Sequence, residues 1–194
     1  MKSSAFHNIT IQTSEYHEEI PSTNDRVLEL LRQQDGPPLP CLVIAKRQTA
    51  GRGRGHKRWW SGDGAILLSL GFELSPEFLT RDHLPTLSAI TARSVIKVLG
   101  RYLPLHKLEF RHPNDVYADG KKICGILIES PTPQYAILGI GLNVNNRLHG
   151  MPIEFLADRA DRPITSMIDL LDRETDTSLL TKELLQELGL TNGQ

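Results

Sequence analysis

The sequence predicts an α+β domain in which helices flank a mixed β-sheet, and three observations support this fold class. Short apolar runs, such as Cys41 to Arg47 and Ala65 to Phe72, have the length and composition of buried strands. The stretch from Leu84 to about Arg101 places its apolar residues at helical spacing. Strand and helix signals do not alternate regularly, so a parallel βαβ array is disfavoured.

The first part of the chain predicts two strands and one helix. Ile9 to Ile11 and Tyr16 to Ile20 are short strand candidates. The polar residues that follow them can cap a helix that runs through about Gln34. Gly36 to Pro38 then breaks this helix ahead of the first buried strand.

The rest of the chain predicts further strands and, at its end, two helices. Asp119-Gly120 is a strong two-residue hairpin turn, and Gly189 is a plausible helix stop. The predicted strands are Leu108 to Arg111, Val116 to Ala118, Lys121 to Glu129 and Tyr135 to Val144, and the predicted helices are Met167 to Leu171 and Ser178 to Leu188.

Composition predicts a core domain in residues 1–150 and an acidic helical segment in residues 151–194. The net charge of -1 gives no global signal for nucleic acid or for a membrane surface. The longest apolar runs are far shorter than the roughly 20 residues that span a bilayer, and the first residues lack the apolar core of a secretory signal. Cys41 and Cys124 have no metal-ligand spacing, so we expect reduced thiols and a cytoplasmic protein.

Residues 46–58 are distinctive because they contain six Lys or Arg residues, three glycines and no carboxylate. Gly51 and Gly53 allow close approach of the backbone to a ligand. Arg52 and Arg54 supply planar cations that match carboxylate and phosphate geometry. The segment lacks the common mononucleotide and dinucleotide glycine patterns. It predicts closure over a small anion, with an ordinary basic surface loop as the alternative.

A second group of candidate functional residues lies in and just before the predicted hairpin. Strand alternation places Lys122 on one apolar face with Cys124 and Ile126. A lysine there is costly without an anionic partner, and Asp115 with its neighbour Asn114 lies one hairpin arm away. A ligand site is therefore favoured over a snorkelling surface lysine. For Asp115, a turn-forming role is an equal alternative.

Four motifs in this order resemble those of biotin–protein ligases. They are Ser22-Thr23-Asn24, Gln48 to Arg54 followed by Trp59, Pro113 to Tyr117 followed by Lys122 to Glu129, and Gly139 to Asn145. The resemblance implies a class II synthetase-like biotin/lipoate ligase catalytic domain without an N-terminal DNA-binding domain. It also implies that the small C-terminal SH3-like domain of the family is absent or truncated.

The activity implied by the resemblance is ATP-dependent biotinylation. Biotin and ATP, expected with Mg²⁺, would give biotinyl-5′-AMP and pyrophosphate. A lysine of a biotin carboxyl carrier protein, part of a biotin-dependent carboxylase, would then accept the biotin. No DNA or membrane partner is expected, and a homodimer is an open alternative to a monomer.

Family correspondence also assigns roles to individual residues. Lys122, Arg54 and Asp115 would be catalytic, with the lysine neutralising the charge that develops between carboxylate and phosphate. Asp115 would orient ATP or its Mg²⁺, and no residue is assigned as a metal ligand. The residues that bind biotin or its adenylate would be Ser22, Thr23, Asn24, Gln48, Gly51, Arg52, Gly53, Arg54, Trp59, Asn114, Lys122, Gly125 and Asn143.

Two features keep other functions open. Arg111-His112 stands where the family usually has Lys-Trp, which would suit a non-catalytic biotin or adenylate sensor. Cys124 near Lys122 would suit a lipoyl or octanoyl transferase that works through a thioester. The complete glycine–arginine segment favours the ligase, because a thioester route needs no clamp for an adenylate.

Overall fold

The computed structural model of the chain describes residues 6, 8–74, 84–103, 107–152, 155 and 163–192. Within these residues, seven strands form one mixed sheet and two short strands pair separately. The sheet order is β2-β3-β4-β8-β7-β6-β5, and β2 and β3 are its parallel pair. The strands are β1 Ile9–Ile11, β2 Thr13–Ile20, β3 Cys41–Gln48, β4 Ile66–Glu73, β5 Leu108–Arg111, β6 Asp115–Ala118, β7 Lys121–Glu129, β8 Tyr135–Leu142 and β9 Leu190–Asn192, and the helices are α1 Thr23–Leu31, α2 Leu84–Leu99, α3 Met167–Leu171 and α4 Thr177–Glu187.

Side-chain alternation in the central strands places helices on both faces of the sheet. On β3, Cys41 and Val43 pack with Val27 of α1 and Ile137 of β8. Their neighbour Leu42 points to the opposite face, where apolar side chains of α2 and α4 complete the main core. The predicted α+β architecture, with helices flanking a mixed sheet, is confirmed.

The segment after residue 163 packs into the same core as the sheet. Leu180 and Leu184 of α4 belong to the main core cluster, and Leu190 of β9 pairs with Ile9 of β1 in parallel. β9 was not predicted, because its three residues are too few to show a periodicity. The predicted boundary near residue 150 lies just before residues 153, 154 and 156–162, which are outside the described part of the chain.

The ends of several elements differ from their predicted positions. β2 begins at Thr13 rather than Tyr16, because pairing with β3 extends along its whole length. α1 ends at Leu31 instead of about Gln34, and β8 ends at Leu142. Among the described residues, no helix is both long enough and apolar enough to cross a membrane.

The prediction that Lys122 shares a face with Cys124 was wrong, because β7 has an extra residue at this point. Lys122 and Cys124 pair with consecutive residues of β6, so Ile123 between them has no β6 partner. The bulge lets Ile123 and Cys124 both enter the main core. Nζ of Lys122 lies on the other face, 3.4 Å from the position that a Cβ on Gly125 would occupy.

Candidate functional site

A narrow pocket, here called the polar pocket, opens beside the start of α1. It is lined by Ser22, Thr23, Asn24, Gln48, Arg52, Gly53, Trp59, Leu68, Asn114, Gly125, Ile126, Leu127, Gly139, Ile140 and Gly141. Nine of these residues were assigned to the ligand by sequence, and they come from distant parts of the chain. The fold therefore brings most of the predicted binding residues together.

Hydrogen bonds within the protein determine which polar side chains at the start of α1 can donate to a ligand and which can accept. As the N-cap of α1, Ser22 Oγ accepts the N–H of Asp25 at 3.3 Å, which leaves the serine proton free. Gln48 Oε1 accepts the backbone N–H and the hydroxyl of Thr23, at 2.7 and 2.9 Å. Gln48 Nε2 makes a weak 3.5 Å contact with Ser61 Oγ and stays available as a donor.

This arrangement of donors and acceptors selects a small neutral group that has both an acceptor and a donor. Ser22 and Gln48 offer donors, whereas Thr23 offers oxygen lone pairs because its proton is used within the protein. A carbonyl flanked by N–H groups satisfies all three side chains. A purely apolar group would leave them unpaired and would bind poorly.

Trp59 lies across two glycines that face each other on neighbouring strands. Gly125 of β7 pairs with Gly141 of β8, and a Cβ at these positions would lie 2.8 and 2.5 Å from the indole. The ring is 8% exposed, and its Nε1–H has no partner among the described residues. Trp59 N donates to Gly51 O at 2.8 Å, which closes the base of the glycine–arginine loop. The indole separates the polar pocket from a second, larger site.

The second site, here called the cationic cleft, has a volume of about 430 Å³ and adjoins the polar pocket at Gly53, Trp59 and Asn114. Its charged lining residues are Arg54, Lys57, Arg58, Arg111, Asp115 and Lys122. Five cations face one carboxylate, so the cleft suits a polyanion such as a nucleotide phosphate chain.

Lys122 lies at the boundary of the two sites and pairs with Asp115. Its Nζ is 2.5 Å from Asp115 Oδ1 and 5.5 Å from the centre of the Trp59 ring. Both charged side chains are about four-fifths buried, at 20% and 17% exposure. The predicted proximity of lysine and carboxylate is therefore present, and the lysine amine is held where a ligand could bridge pocket and cleft.

The backbone of Lys122 is held by the segment that precedes α3. Lys122 N donates to Pro163 O at 2.8 Å, and Thr165 N donates to Lys122 O at 2.9 Å. Asn143 Nδ2 in turn donates to Thr165 O at 3.0 Å, and its Oδ1 accepts from Asn146. Asn143 is 3% exposed and lines neither site. The structure thus places it behind Lys122, away from the predicted ligand contact.

The residues at positions 111 and 112 use their side chains within the protein. The Arg111 guanidinium lies 4.0 Å from the ring centre of Tyr117 and pairs with Glu109. His112 packs at 4.5 Å from the ring of Phe110. Arg111 also lines the cleft, so it supplies a cation there.

Arg52 fastens the glycine–arginine loop to β7 and α1. Its two terminal nitrogens donate to the two carboxylate oxygens of Glu129, each at 2.7 Å, and Nη2 lies 2.8 Å from Asp25. Burial would raise the pKa of Glu129, but hydrogen bonds from Arg52 and Asn24 outweigh it, so the pKa lies below its usual value. Glu129 belongs to a recognised motif, but sequence alone did not identify it as the anchor of Arg52.

Acidification is expected to release Arg52 from Glu129. Because the pKa of Glu129 is lowered in the folded protein, the contact stabilises it above the ordinary carboxyl pKa of 4.5 and is lost as pH falls through the lowered value. Trp59 fluorescence, followed in a Trp60→Phe background, should change in acid before circular dichroism reports unfolding. The variant Glu129→Gln should lack this early transition. An unchanged midpoint in that variant would assign the transition to another carboxyl.

Together, the fold and the two sites define a class of α+β domain in which a pocket for a small neutral group adjoins a cleft for a polyanion. A family model described as the biotin/lipoate A/B protein ligase family matches residues 16–143, more than half of the chain. The chain belongs to this family.

Relatives of known name and structure agree with this assignment. The bifunctional ligase/repressor BirA of Bacillus subtilis is 33% identical over 144 residues, which are 72% of this chain and 42% of that protein. The biotin--[acetyl-CoA-carboxylase] ligase of Mycobacterium tuberculosis is 33% identical over 164 residues, 82% of this chain and 57% of that protein. The chain therefore spans about half the length of these relatives.

Solved structures of the family have the same fold. The biotin protein ligase of Aquifex aeolicus in complex with biotin and ATP matches with a TM-score of 0.72 and 27% identity, covering 92% of this chain and 69% of that one. The Leishmania major enzyme in complex with biotinyl-5-AMP matches with a TM-score of 0.69 and 27% identity, covering 91% and 73%.

Proposed function

We propose that the chain is the catalytic part of an ATP-dependent biotin–protein ligase. The observation that supports this most directly is the juxtaposition of a neutral donor–acceptor pocket and a cationic cleft, with Lys122 at their boundary. The cyclic urea of biotin has the carbonyl and N–H groups that the polar pocket needs. The triphosphate of ATP has the charge that the cationic cleft needs.

The geometry suits a reaction in two steps. A biotin carboxylate oxygen attacks the α-phosphorus of ATP, the bond to the β-phosphate oxygen breaks, and biotinyl-5′-AMP and pyrophosphate form. A neutral lysine amine of a carrier domain then attacks the acyl carbon, AMP leaves, the nitrogen loses one proton to solvent, and an amide remains. Both steps place negative charge between pocket and cleft, where Lys122 and Arg54 can stabilise it. Mg²⁺ is expected to arrive with the nucleotide, near Asp115.

Loop closure over the adenylate would protect it from water. Arg52 and Trp59 hold the loop against β7 and β8, so the mixed anhydride would be enclosed on the side of the polar pocket. The carrier is proposed to be the biotin carboxyl carrier domain of a biotin-dependent carboxylase. We further propose that the protein acts in the cytoplasm and does not bind DNA. Light scattering, which measures the mass of the particle in solution, distinguishes a monomer from a homodimer.

One assay separates the proposed function from its alternatives. Pyrophosphate release is measured with ATP and biotin, with ATP and lipoate, and with ATP and octanoate. A ligase specific for biotin releases pyrophosphate with biotin alone and adds one biotin to a carrier domain, as measured by mass spectrometry. Release with lipoate but none with biotin would overturn the proposal. Binding of biotin without release would favour the sensor.

The thioester alternative gives a prediction at Cys124. This thiol is fully buried in the main core, and burial raises its pKa well above the usual value. Cys124→Ala should therefore keep kcat for carrier biotinylation within about twofold, because removing one buried sulfur affects stability rather than chemistry. A loss of transfer with the melting temperature unchanged would instead identify a covalent thiol intermediate.

A further inference from the structure

A buried serine outside the predicted site residues connects the polar pocket to Arg52. Ser69 lies in the middle of β4 and is fully buried. Its Oγ lies 2.7 Å from Thr23 Oγ1 and 2.6 Å from Asn24 Oδ1. It lines neither the polar pocket nor the cationic cleft. Any effect of Ser69 on a ligand must therefore act through Thr23 and Asn24.

The direction of these hydrogen bonds follows from the charge of Glu129. A carboxylate can only accept, so Asn24 Nδ2 donates to Glu129 Oε2 at 2.7 Å. The amide oxygen of Asn24 then faces Ser69 and accepts from its hydroxyl. Ser69 also donates to Thr23 Oγ1, whose own proton goes to Gln48, so the single Ser69 proton is shared between Thr23 and Asn24. Ser69 thus joins Thr23 to Asn24, and Asn24 donates to the anion.

The same anion holds the loop. Glu129 accepts both bonds from Arg52, and the Arg52 loop also contains Trp59, which covers the glycines of the polar pocket. A continuous run of hydrogen bonds therefore joins Thr23, which faces the pocket, to the arginine that fastens the loop. Hydrogen bonds in such a chain polarise and strengthen one another.

We propose that Ser69 is a positioning residue that couples ligand contact at Thr23 to loop closure by Arg52. A ligand N–H donated to Thr23 Oγ1 competes there with Ser69, so the shared Ser69 proton goes to Asn24 and fixes the amide that donates to Glu129. Without the Ser69 oxygen, Asn24 loses the partner that fixes its amide, and Glu129 loses part of its orientation toward Arg52. The ligand-dependent part of this inference rests on the proposed biotin function, whereas the part about Arg52 does not.

Limited trypsin digestion of the whole chain tests both parts. Cleavage after Arg52, Arg54, Lys57 and Arg58 reports loop opening, and cleavage after Lys182 in α4 reports global unfolding. Ser69→Ala is expected to raise the ligand-free loop cleavage rate about tenfold, the effect of losing orientation at a hydrogen bond to a charged group. At biotin concentrations that saturate each protein, the wild type should gain protection and Ser69→Ala should gain little.

Matched variants separate coupling from a loss of stability. Ser94→Ala removes another buried serine hydroxyl, on α2, and should leave loop cleavage unchanged. Glu129→Gln should open the loop as Ser69→Ala does, and the double variant should add little, since both act on one chain of bonds. If Ser69→Ala also raises cleavage at Lys182, the whole fold is less stable, and Ser69→Cys is used in its place. Ser69→Cys keeps a weak donor, so it should raise loop cleavage less than Ser69→Ala does.

Three outcomes would overturn the inference. In the first, Ser69→Ala and Ser69→Cys are cleaved in the loop at the wild-type rate. In the second, biotin protects both variants as fully as it protects the wild type. In the third, the effects of Ser69→Ala and Glu129→Gln on the loop cleavage rate are additive. If the wild type binds no biotin, the proposed function fails, but the ligand-free cleavage rates still test the link from Ser69 to Arg52.

Discussion

Lys122→Ala is expected to reduce pyrophosphate release with ATP and biotin about a hundredfold, the effect of losing about 3 kcal/mol of charge stabilisation in a site shielded from water. The amine of Lys122 lies between the polar pocket and the cationic cleft, in contact with Asp115. Its backbone is fixed by the segment before α3. The loss should therefore appear in kcat, measured at saturating biotin and ATP, and the circular dichroism spectrum should be retained.

Lys121→Ala is the matched control for this variant. Lys121 is the preceding residue on the same strand and is exposed, so its removal changes the net charge equally without reaching the cleft. It should leave kcat within about twofold, as expected of a surface substitution. Near-normal pyrophosphate release by Lys122→Ala would show that this lysine is not part of the reaction.

Gly141→Ala is expected to weaken biotin binding about thirtyfold. The new Cβ would lie 2.5 Å from the Trp59 indole, so the ring must leave its place over β7 and β8. Overpacking of this kind costs about 2 kcal/mol, which corresponds to about thirtyfold in affinity. Isothermal titration with biotin measures the change. The loop that contains Trp59 can move away, so the melting temperature should fall by only a few degrees.

Gly150→Ala provides the control for a glycine substitution. A Cβ at Gly150 would meet no atom within 4 Å, and the residue is exposed. Its biotin affinity should equal that of the wild type. If Gly141→Ala also bound biotin normally, the indole would not need its position over the paired glycines, and the role given to Trp59 in loop closure would be wrong.

Most elements of the fold could be predicted because their apolar residues repeat at the period of a strand or a helix. Others were predicted from a continuous apolar run, as for β4, which is buried from Ile66 to Phe72 and exposed at Glu73. β9 could not be predicted in this way, since it is short and depends on pairing with β1, at the other end of the chain. Parallel pairing of β2 with β3 was also not predicted, although α1 connects them in the way usual for parallel strands, because the strand and helix signals elsewhere do not alternate.

Most residues of the candidate site could be predicted from the sequence, whereas the contacts between them could not. The resemblance to the family motifs identified Thr23 and Gln48, and Lys122 was also indicated by the cost of a lysine on an apolar strand face. Ser69 gave no signal, since one serine in an apolar strand looks like any small buried residue. The face on which Lys122 lies depends on a bulge, and alternation alone cannot reveal an extra residue.

The polar pocket is built partly from the first turn of a helix, and this limits how its specificity can change. Ser22 caps α1, and Thr23 and Asn24 are buried at its start. A substitution that alters ligand recognition at the cap also removes about 1 kcal/mol of helix stability. Directed evolution toward other acyl acids is therefore better aimed at the pocket wall, for instance at Leu127 on β7, where a new side chain does not disturb the start of α1.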